Sequence, residues 1–576
     1  MSSSVITQSL SEYDCHWKKT RLRVPSTDGT LYAVPCFKKS QQEAKENREL
    51  FASTELALLG EPLARFRFWA RSEVIEAAHR YTAELVDSPL CSCQKSEIDF
   101  SKPLFISGHQ PALFHPGVWV KNFGVNKLAQ QAGGTALNLI VDNDIISTTS
   151  LRVPTGDRCT PTVTSIPFDD ISPSQPWEEA TVNNRDLFLS FSNRISKAMA
   201  HWGIDPLIEK QWQQAVNKLE TTSSLRDSLS AVRVQQEREW GVNNLELPIS
   251  HLCQLDSFLH FVLHLLLHLD EFQAVHNQTL AEYRDVYHVR SKTHPVPELV
   301  NYADGWLEAP FWIWKKGDQQ RQHLRVKRDG DRLLLSDGNQ IITTLPIANE
   351  EDNTAPAMAA LRQLSQQGWK LRTRALTTTL FARLCVADLF VHGIGGAKYD
   401  ELTDQIICRF FKMPAPGFST MSATLFLPVA KPFDVSVKDE YHLKNKLRDL
   451  HYNPSRYYEA GENAAIDKLI EEQQQLIQQQ NNRTTKGESR KVRRAKSAGN
   501  RSRYLRFKQL RKELSSCATE QITHLETELS KIQCQLAANR VLKNREFSLA
   551  LYPSEKLSSF LMHIDAQKPV SETNSK

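Results

Sequence analysis

The sequence lacks the features that direct a chain to a membrane or cross-link it with disulfides. Its 576 residues contain no uncharged apolar run of membrane-spanning length, about 18 residues. The N-terminal stretch has no basic region followed by an apolar core, so it does not read as a signal peptide. The ten cysteines show no framework or zinc-finger spacing. We therefore expect a soluble, cytoplasmic protein with reduced thiols, without a membrane partner or a bound metal.

A strong excess of one charge is also missing. The formal net charge is +5, which is small for this length, so the composition gives no argument for nucleic-acid binding, and we do not expect a nucleic-acid partner. Hydrophobic residues make up 40% of the chain, which is enough for a real core. The length allows roughly three or four units of ordinary domain size.

The residues that are present are organised around one stretch, from Pro103 to Asp144. An apolar run, Leu104 to Ile106, predicts a strand that stops at Ser107-Gly108. Pro116 is typical of the first residue of a helix, because its missing N–H would be unpaired there. A second apolar run, Ala136 to Val141, predicts the next strand. The stretch therefore predicts a strand, a polar loop, a helix and a strand.

A crossover of this kind makes the two strands parallel neighbours, so their polar ends meet at one edge of the sheet, where open α/β sheets bind ligands. The loop also precedes a helix, whose N-terminus favours a phosphate or carboxylate. We therefore expect a small anionic substrate at this edge. The predicted catalytic residues are His109, Gln110, His115, Lys121, Asp142 and Asp144. Gly108 and Asn143 are predicted to bind substrate or nucleotide.

The α/β pattern resumes at Leu371. A run from Leu389 to Val391 predicts a strand, and three glycines in five residues separate it from another helix. Glycines there let the backbone approach a ligand closely and turn its N–H groups toward it. The residues of this segment that we predict to bind substrate or nucleotide are His392, Gly393, Gly395, Gly396, Lys398, Tyr399 and Asp400.

The chain between the two α/β segments contains a segment with a helical pattern and a segment with an alternating pattern. Residues 177–287 show long helical periodicity, in which His260, His264 and His268 share one helical face. Because the residues between them are apolar, we interpret this stripe as packing and not as a metal site. Residues 302–345 alternate and carry turn signals, which predicts a small antiparallel sheet.

The C-terminal part is helical and polar, and its apolar residues follow the spacing of a coiled-coil seam. The seam residues of the second helix are Ile522, Leu525, Leu529, Ile532 and Leu536. We predict an antiparallel coiled coil whose tip, residues 481–503, is basic. No aromatic residue precedes Tyr504 in the tip, which favours a solvated turn over a site for single-stranded nucleic acid. RNA binding through the tip residues Lys491, Arg493 and Arg494 is the alternative.

These patterns divide the chain into five parts. The two halves of an α/β core with a parallel sheet are predicted at residues 1–150 and 371–455, and an inserted α+β connecting region lies between them at 151–370. The coiled-coil arm is predicted at 456–545. A return segment and a disordered tail, 546–576, complete the chain.

The motifs resemble those of a known family, the BshC enzymes of bacillithiol biosynthesis, which are cysteine-adding ligases. The family motif TGQQxGLFTGPLYTxxKAxxxxxLA is matched, with a two-residue deletion before the lysine, by Ser107-Gly108-His109-Gln110, Leu113-Phe114, Pro116-Gly117, Lys121 and Leu128-Ala129. The family's EDHD, YVGGPGExAYW and SAT elements are similar to Val141-Asp142-Asn143-Asp144, Phe390 to Asp400 and Ser422-Ala423-Thr424. The chain departs from the family at His109, Gly396 and Asp400, where the family has Gln, Glu and Trp.

The resemblance implies a Rossmann-like core of the nucleotidylyltransferase type, an inserted connecting region and a coiled-coil arm that forms a homodimer. It favours an enzyme, a ligase or nucleotidyl-transfer-type protein that joins a small amino or thiol acid to an anionic acceptor. The residues identify no cofactor, although ATP and Mg²⁺ are compatible with them.

In this hypothesis each edge residue has a role in charge stabilisation or orientation. His109 and His115 would donate hydrogen bonds to developing charge, and Lys121 would add a positive charge. Gln110 would orient the substrate, and the two aspartates, Asp142 and Asp144, would hold an ammonium group, a sugar hydroxyl or Mg²⁺. The competing interpretation is a non-enzymatic metabolite-binding or scaffold protein that uses the coiled coil for assembly.

Overall fold

The computed structural model describes residues 16–17, 22–86, 99–170, 174–318, 320–347, 354–459, 461, 463–478 and 490–565. The chain forms two compact units. The first unit comprises Met1–Val153, Thr164–Pro428 and Arg545–Lys576. The second comprises Pro154–Val163 and Val429–Asn544.

The strands, in chain order, are β1 (Thr30–Val34), β2 (Ala57–Leu58), β3 (Glu61–Pro62), β4 (Leu104–His109), β5 (Thr135–Ile140), β6 (Ser150–Thr155), β7 (Thr162–Pro167), β8 (Leu245–Pro248), β9 (Leu307–Lys315), β10 (Gln322–Asp329), β11 (Arg332–Ser336), β12 (Ile341–Pro346), β13 (Trp369–Thr373), β14 (Leu389–His392) and β15 (Phe418–Thr424).

The helices, in chain order, are α1 (Phe37–Ser53), α2 (Leu63–Leu85), α3 (Pro116–Ala132), α4 (Arg185–Met199), α5 (Ile208–Lys218), α6 (Leu225–Glu239), α7 (Ile249–Leu252), α8 (Asp256–Leu267), α9 (Leu269–Tyr287), α10 (Ala355–Gln366), α11 (Ala375–Phe381), α12 (Ile394–Phe410), α13 (Val437–Tyr452), α14 (Ala464–Gln478), α15 (Arg490–Cys517), α16 (Thr519–Leu542) and α17 (Ser554–Leu561).

The main sheet has six strands in the order β1-β15-β14-β4-β5-β8. The strands from β15 to β8 are parallel, and only the edge strand β1 is antiparallel to its neighbour in this sheet. This confirms the predicted α/β class with a mostly parallel sheet. The strand β8 lies within the segment that the sequence placed in the insertion, and it extends the sheet beyond β5.

Helix α3 begins at Pro116, as predicted, and ends where Gly133 takes the left-handed conformation with φ 62°. It packs on β4, β5, β14 and β15. Helix α2 contributes Phe66, Ala70 and Val74 to a core cluster that also contains inward residues of β4 and β5. The sheet is therefore held between helices, which leaves its strand ends to form a site.

A second sheet of the first unit is built from residues 307–373. Its order is β12-β11-β10-β9-β13, and each pair of neighbours is antiparallel. This confirms the antiparallel sheet that the alternating pattern predicted. Strand β13 follows α10 in the chain and pairs with β9. The last strand of this sheet in chain order therefore lies beside the first.

In the second unit, α13 and α16 pack against each other through Leu450, Ala518 and Leu525. They run antiparallel, since Glu440 near the start of α13 accepts a hydrogen bond from Gln533 in the second half of α16, whereas Leu450 near the end of α13 packs with Leu525 in the first half of α16. Helix α13 lies in the segment 371–455 that the sequence assigned to the core, whereas α14, α15 and α16 lie in the predicted arm, and the coiled coil itself stays a prediction. Residues 481–489 of the predicted tip, and the tail from residue 566, lie outside the described residues.

In the histidine stripe on α8 and at its end, His260 and His264 are half-buried and His268 is exposed. His260 bonds the carbonyl of Leu58 at 3.1 Å, and the rings of His264 and His268 lie 4.7 Å apart. Among the described residues, no three His, Cys, Asp or Glu side chains are grouped as metal ligands, and no helix is long and apolar enough to span a bilayer.

The cysteines differ in state. Thiols such as Cys253 and Cys385 are free and buried, but Cys408 is disulfide-bonded. The prediction that all cysteines are reduced is therefore wrong at Cys408. The spacing of the cysteines along the chain carried no signal for this bond, because pairing depends on tertiary proximity.

A buried ion cluster joins α2 to the starts of β4 and β14. Asp388 pairs with Arg67 at 3.0 Å and with Arg71 at 2.9 Å. It also accepts the Leu104 N–H at 2.9 Å. Burial lowers the pKa of Arg67 to about 10, which leaves its guanidinium charged at neutral pH.

Asp388→Asn should destabilise the protein by about 3 to 5 kcal/mol, because the amide cannot neutralise two buried guanidinium groups. Thermal melting followed by circular dichroism measures the loss. The matched control is Asp329→Asn, whose carboxylate is 57% exposed and pairs with Arg332 on the surface. Surface pairs contribute about 1 kcal/mol or less, so equal losses for the two variants would contradict the prediction.

Candidate functional site

The carboxyl ends of β4, β5 and β14 lie side by side at one edge of the main sheet. In the register, Val391 of β14 pairs with Ser107 of β4, and Ser107 pairs with Asn138 of β5. His109 and His392 are thus the last residues of adjacent strands, and not loop residues as predicted, because the pairing continues to the strand ends. The topology brings the two predicted halves of the site to one edge.

The turn after β14 lies against α3. A Cβ placed on Gly393 would be 4.0 Å from Cδ of Lys121. Gly393 is the N-cap of α12, and residues 394–396 form its first turn, so the predicted glycine loop is largely the start of a helix. Gly393 has no side chain to cap this N-terminus, and no capping side chain is found among the described residues. Its amide groups and the positive end of the helix dipole are therefore directed toward the edge of the sheet.

Lys121 is buried at this edge. Its Nζ donates to the carbonyl of Gly108 at 2.6 Å, and among the described residues it forms no ion pair. Burial lowers the pKa of Lys121 to about 8. Since a buried ammonium is normally compensated by an anion, this site favours an anionic ligand.

The two imidazoles beside Lys121 are neutral near pH 7. Burial, reinforced by Lys121, lowers the pKa of His109 to about 3. Burial, with Arg545 and Lys121, lowers the pKa of His115 to about 4. Their surroundings are therefore positive as well as desolvated, which again favours an anion at this edge.

The hydrogen bonds assign the ring protons of these histidines. His115 is the N-cap of α3 and accepts the Gly117 N–H at Nδ1 at 3.1 Å, so its proton is on Nε2, which can donate. His109 Nδ1 lies 3.3 Å from the carbonyl oxygen of Gln110, which can only accept, so its Nε2 is an acceptor. His115 can therefore donate to a ligand from Nε2, as the expected role requires, whereas the Nε2 of His109 can only accept.

The acidic residues after β5 are not equivalent. Asp142 is completely buried, accepts the backbone and hydroxyl of Ser250 at 2.9 and 2.5 Å, and pairs with Arg226 at 2.7 Å. It holds β5 to α6 and α7, so its oxygens do not face a ligand as we expected. Asp144 is 44% exposed, accepts from Gln110, and lies 3.6 Å from Arg321. Asp144 is the carboxylate that a ligand can reach.

Asp400 is also part of a buried cluster. Burial alone would raise its pKa, but Arg383 and His392 hold the pKa of Asp400 below its ordinary value. His392 Nε2 lies 2.8 Å from Asp400, and Arg383 binds both Asp400 and Asp404. His392 and Asp400 therefore anchor the start of α12.

The remaining predicted residues of α12 differ in exposure. A Cβ on Gly396 would approach His392 Nδ1 to 3.0 Å, so a side chain there would press on the imidazole. A Cβ on Gly395 would meet no atom within 4 Å. Lys398 is exposed, and Tyr399 packs edge-on against His294.

Asn143 and Asp144 open into a cavity of about 330 Å³ in the first unit. Its lining is mainly apolar, and its polar groups come from the residues after β5, from the second sheet and the residues after β13, and from α9 and α12. The side chains that matter here are Asn143, Asp144, Trp312, Arg321 and Arg374. A mainly apolar cavity with a few convergent polar groups is typical of a small-molecule site.

Two polar groups of this cavity, Arg321 and Asn143, have spare hydrogen-bonding capacity, because the buried Arg321 Nε and Asn143 Oδ1 have no partner among the described residues. Arg321 donates to the carbonyl of Asn143 at 2.6 Å and lies over the ring of Trp312 at 4.5 Å. Arg374 is committed to Glu308 at 2.5 Å. Burial lowers the pKa of Arg321, so an added anion would stabilise its charge.

The sequence analysis missed Arg321, Arg374 and Trp312. Each lies in or after the inserted sheet, more than 150 positions beyond Asp144. The hairpin pattern predicted this sheet but not the surface it packs on, and no motif marks these residues.

No protein-family model matches the chain, and a search of the curated proteins finds no match. The likeness to BshC therefore rests on the short motifs quoted above.

Lys121→Met should raise the melting temperature at pH 7, because it removes an unpaired buried charge. The gain should shrink as pH rises from about 8 toward 10.5, since the folded wild type releases this proton at about pH 8 and the unfolded chain only near 10.5. Thermal melts of both proteins across this range measure the difference. A difference that does not change with pH would contradict the burial of a charged Lys121.

Proposed function

We propose that this protein is an enzyme of the BshC-like type, a ligase or nucleotidyl-transfer-type enzyme that joins a small amino or thiol acid to an anionic acceptor. The observation that carries the proposal is the buried ammonium of Lys121 at the carboxyl edge of a parallel sheet, which has no ion-pair partner in the described part of the chain. A bound anion would compensate that buried charge.

The groups around Lys121 support a phosphate-bearing ligand in particular. His115 offers an Nε2–H, and the uncapped start of α12 offers backbone amides. Helix N-termini and lysine ammonium groups are common phosphate ligands. ATP fits this set as the activating substrate, with its phosphates against these donors.

The adjoining cavity supports a small acid as the second substrate. The buried Nε–H of Arg321 has no partner among the residues that the structure describes, and Asp144 has a partly exposed carboxylate 3.6 Å from the same guanidinium. A zwitterionic amino acid would place its carboxylate on Arg321 and its ammonium on Asp144. Gln110, which donates to Asp144, would hold that carboxylate in position.

The motifs that resemble BshC support the same assignment. Gly108, His109, Gln110 and Lys121 come from the first family motif, and the Phe390 to Asp400 segment provides β14 and the start of α12. A nucleotidylyltransferase-type core and a homodimer through the coiled-coil arm belong to this proposal.

One observation favours a second candidate, a metabolite-binding scaffold without catalysis. The carboxylates of Asp142 and Asp400, which we expected to face a ligand, are engaged by buried arginines and by Ser250 and His392 respectively. A pocket whose hydrogen-bond donors are available, but whose carboxylates only stabilise the fold, can bind a metabolite without transforming it.

Lys121→Met should weaken binding of ATP or a sugar phosphate on the order of tenfold or more, because a charge-assisted hydrogen bond is lost. A thermal-shift screen with ATP, cysteine, other amino acids and sugar phosphates selects the ligand, and calorimetry measures its affinity. The matched control is Lys127→Met on the same helix, where the lysine pairs with Asp565 at 3.0 Å.

Equal affinity for wild type and Lys121→Met would contradict the proposed site. Mass spectrometry of mixtures of the selected ligands separates the two candidate functions. A joined product supports the ligase, and binding of ligands without any product supports the scaffold.

Arg321→Met should weaken binding of the selected amino or thiol acid on the order of tenfold, while the affinity for the phosphate-bearing ligand stays the same. The reason is that the two ligands occupy separate parts of the site. Arg332→Met, an exposed arginine of the same second sheet, is the control. A loss of phosphate-ligand affinity, or an equal loss in the control, would contradict the assignment of the cavity.

A further inference from the structure

A basic helix lies outside the site described above. Helix α15 has 28 residues, of which eleven are Lys or Arg and one, Glu513, is acidic. The net charge of the whole chain is only +5, so the basic residues are strongly concentrated here. Such a concentration is an electrostatic footprint for a polyanion.

The exposed side of α15 combines positive charge with an aromatic ring. Arg501, Tyr504, Lys508 and Arg511 are spaced by three or four residues, which places them on one helical face. Tyr504 is 65% exposed. The opposite face carries Leu510, which is completely buried. The aromatic ring is therefore held among cations at the surface.

Helix α13 adds a second aromatic ring to the same surface. The guanidinium of Arg511 lies 4.9 Å from the ring centroid of Tyr452, and that of Arg448 lies 5.9 Å from it. Tyr452 is 54% exposed. We call Arg448, Tyr452, Arg501, Tyr504, Lys508 and Arg511 the α13/α15 surface.

The carboxylates near this surface are already engaged. Glu513 lies 3.4 Å from Arg506 and accepts from Gln509, and Asp449 accepts from Asn453 and lies 3.2 Å from Arg456. The surface therefore keeps a net positive charge. A second copy of this face is excluded as its partner, because like charges would oppose each other.

We propose that the α13/α15 surface binds single-stranded nucleic acid. Arg501, Lys508 and Arg511 would contact phosphates, and the rings of Tyr452 and Tyr504 would stack on bases. This pairing of cations with exposed rings is how single strands are bound without sequence preference. The sequence alone offered no aromatic platform in the basic tip, because Tyr452 joins the surface only through the packing of α13 beside α15.

The test is fluorescence anisotropy of full-length protein with a labelled oligo(U) or oligo(dT) of about 20 nucleotides, at increasing salt. The triple variant R501Q/K508Q/R511Q should weaken binding tenfold or more at low salt. It should also reduce the slope of log affinity against log salt by about 2, since each phosphate contact on a single strand contributes about 0.7. The double variant Y452A/Y504A should weaken binding on the order of tenfold with little change in slope.

The matched control is K531Q/R540Q/K543Q, which removes three exposed positive charges from α16 and its end in the same unit. It should change the affinity by less than about twofold at fixed salt. An equal loss in this control would overturn the proposal, since net charge alone would then explain the binding. Absence of oligonucleotide binding at low salt, or binding only to anionic lipid vesicles in a flotation assay, would overturn it as well. Binding to either oligonucleotide that follows the expected variants supports it.

Discussion

The structure depends on the ion cluster around Asp388. This carboxylate neutralises Arg67 and Arg71 of α2, and it accepts the first N–H of β4 while its own N–H donates to the carbonyl of Leu104 at 2.9 Å. The amino ends of β4 and β14 are thereby held in one register. From this register the two strands run parallel toward their carboxyl ends. Their last residues, His109 and His392, therefore lie at the same edge of the sheet. A buried acid at one edge of the sheet thus positions the site at the opposite edge.

At that edge the protein accumulates positive charge that the described residues do not compensate. Lys121 is buried without an ion pair, and the two histidines beside it are desolvated. By contrast, the buried Arg233 is paired with Glu237 and Glu246. The contrast is informative, because an uncompensated buried charge costs stability and persists where function requires it. The electrostatics of the fold therefore support the proposed anion site independently of any motif.

Local patterns predicted the elements well where periodicity was strong. The start of α3 at Pro116, the strands on either side of it and the antiparallel sheet of the insertion follow directly from apolar spacing and turn residues. The roles of the acidic residues did not follow. Asp142 and Asp144 are two positions apart and chemically identical, yet one is locked by Arg226 and the other is partly exposed. Burial and partners decide availability, and neither is encoded in local spacing.

The amino-acid sequence by itself determined the α/β class, the edge at which the polar strand ends meet and most of the residues found there. These depend on short-range periodicity and on the fixed handedness of parallel crossovers. Only the tertiary structure decided which donors are free, that the inserted sheet supplies Arg321 to the cavity, and that Tyr452 lies beside Arg511. Those contacts join residues far apart in the chain, so they arise from packing between elements and not from any pattern within one.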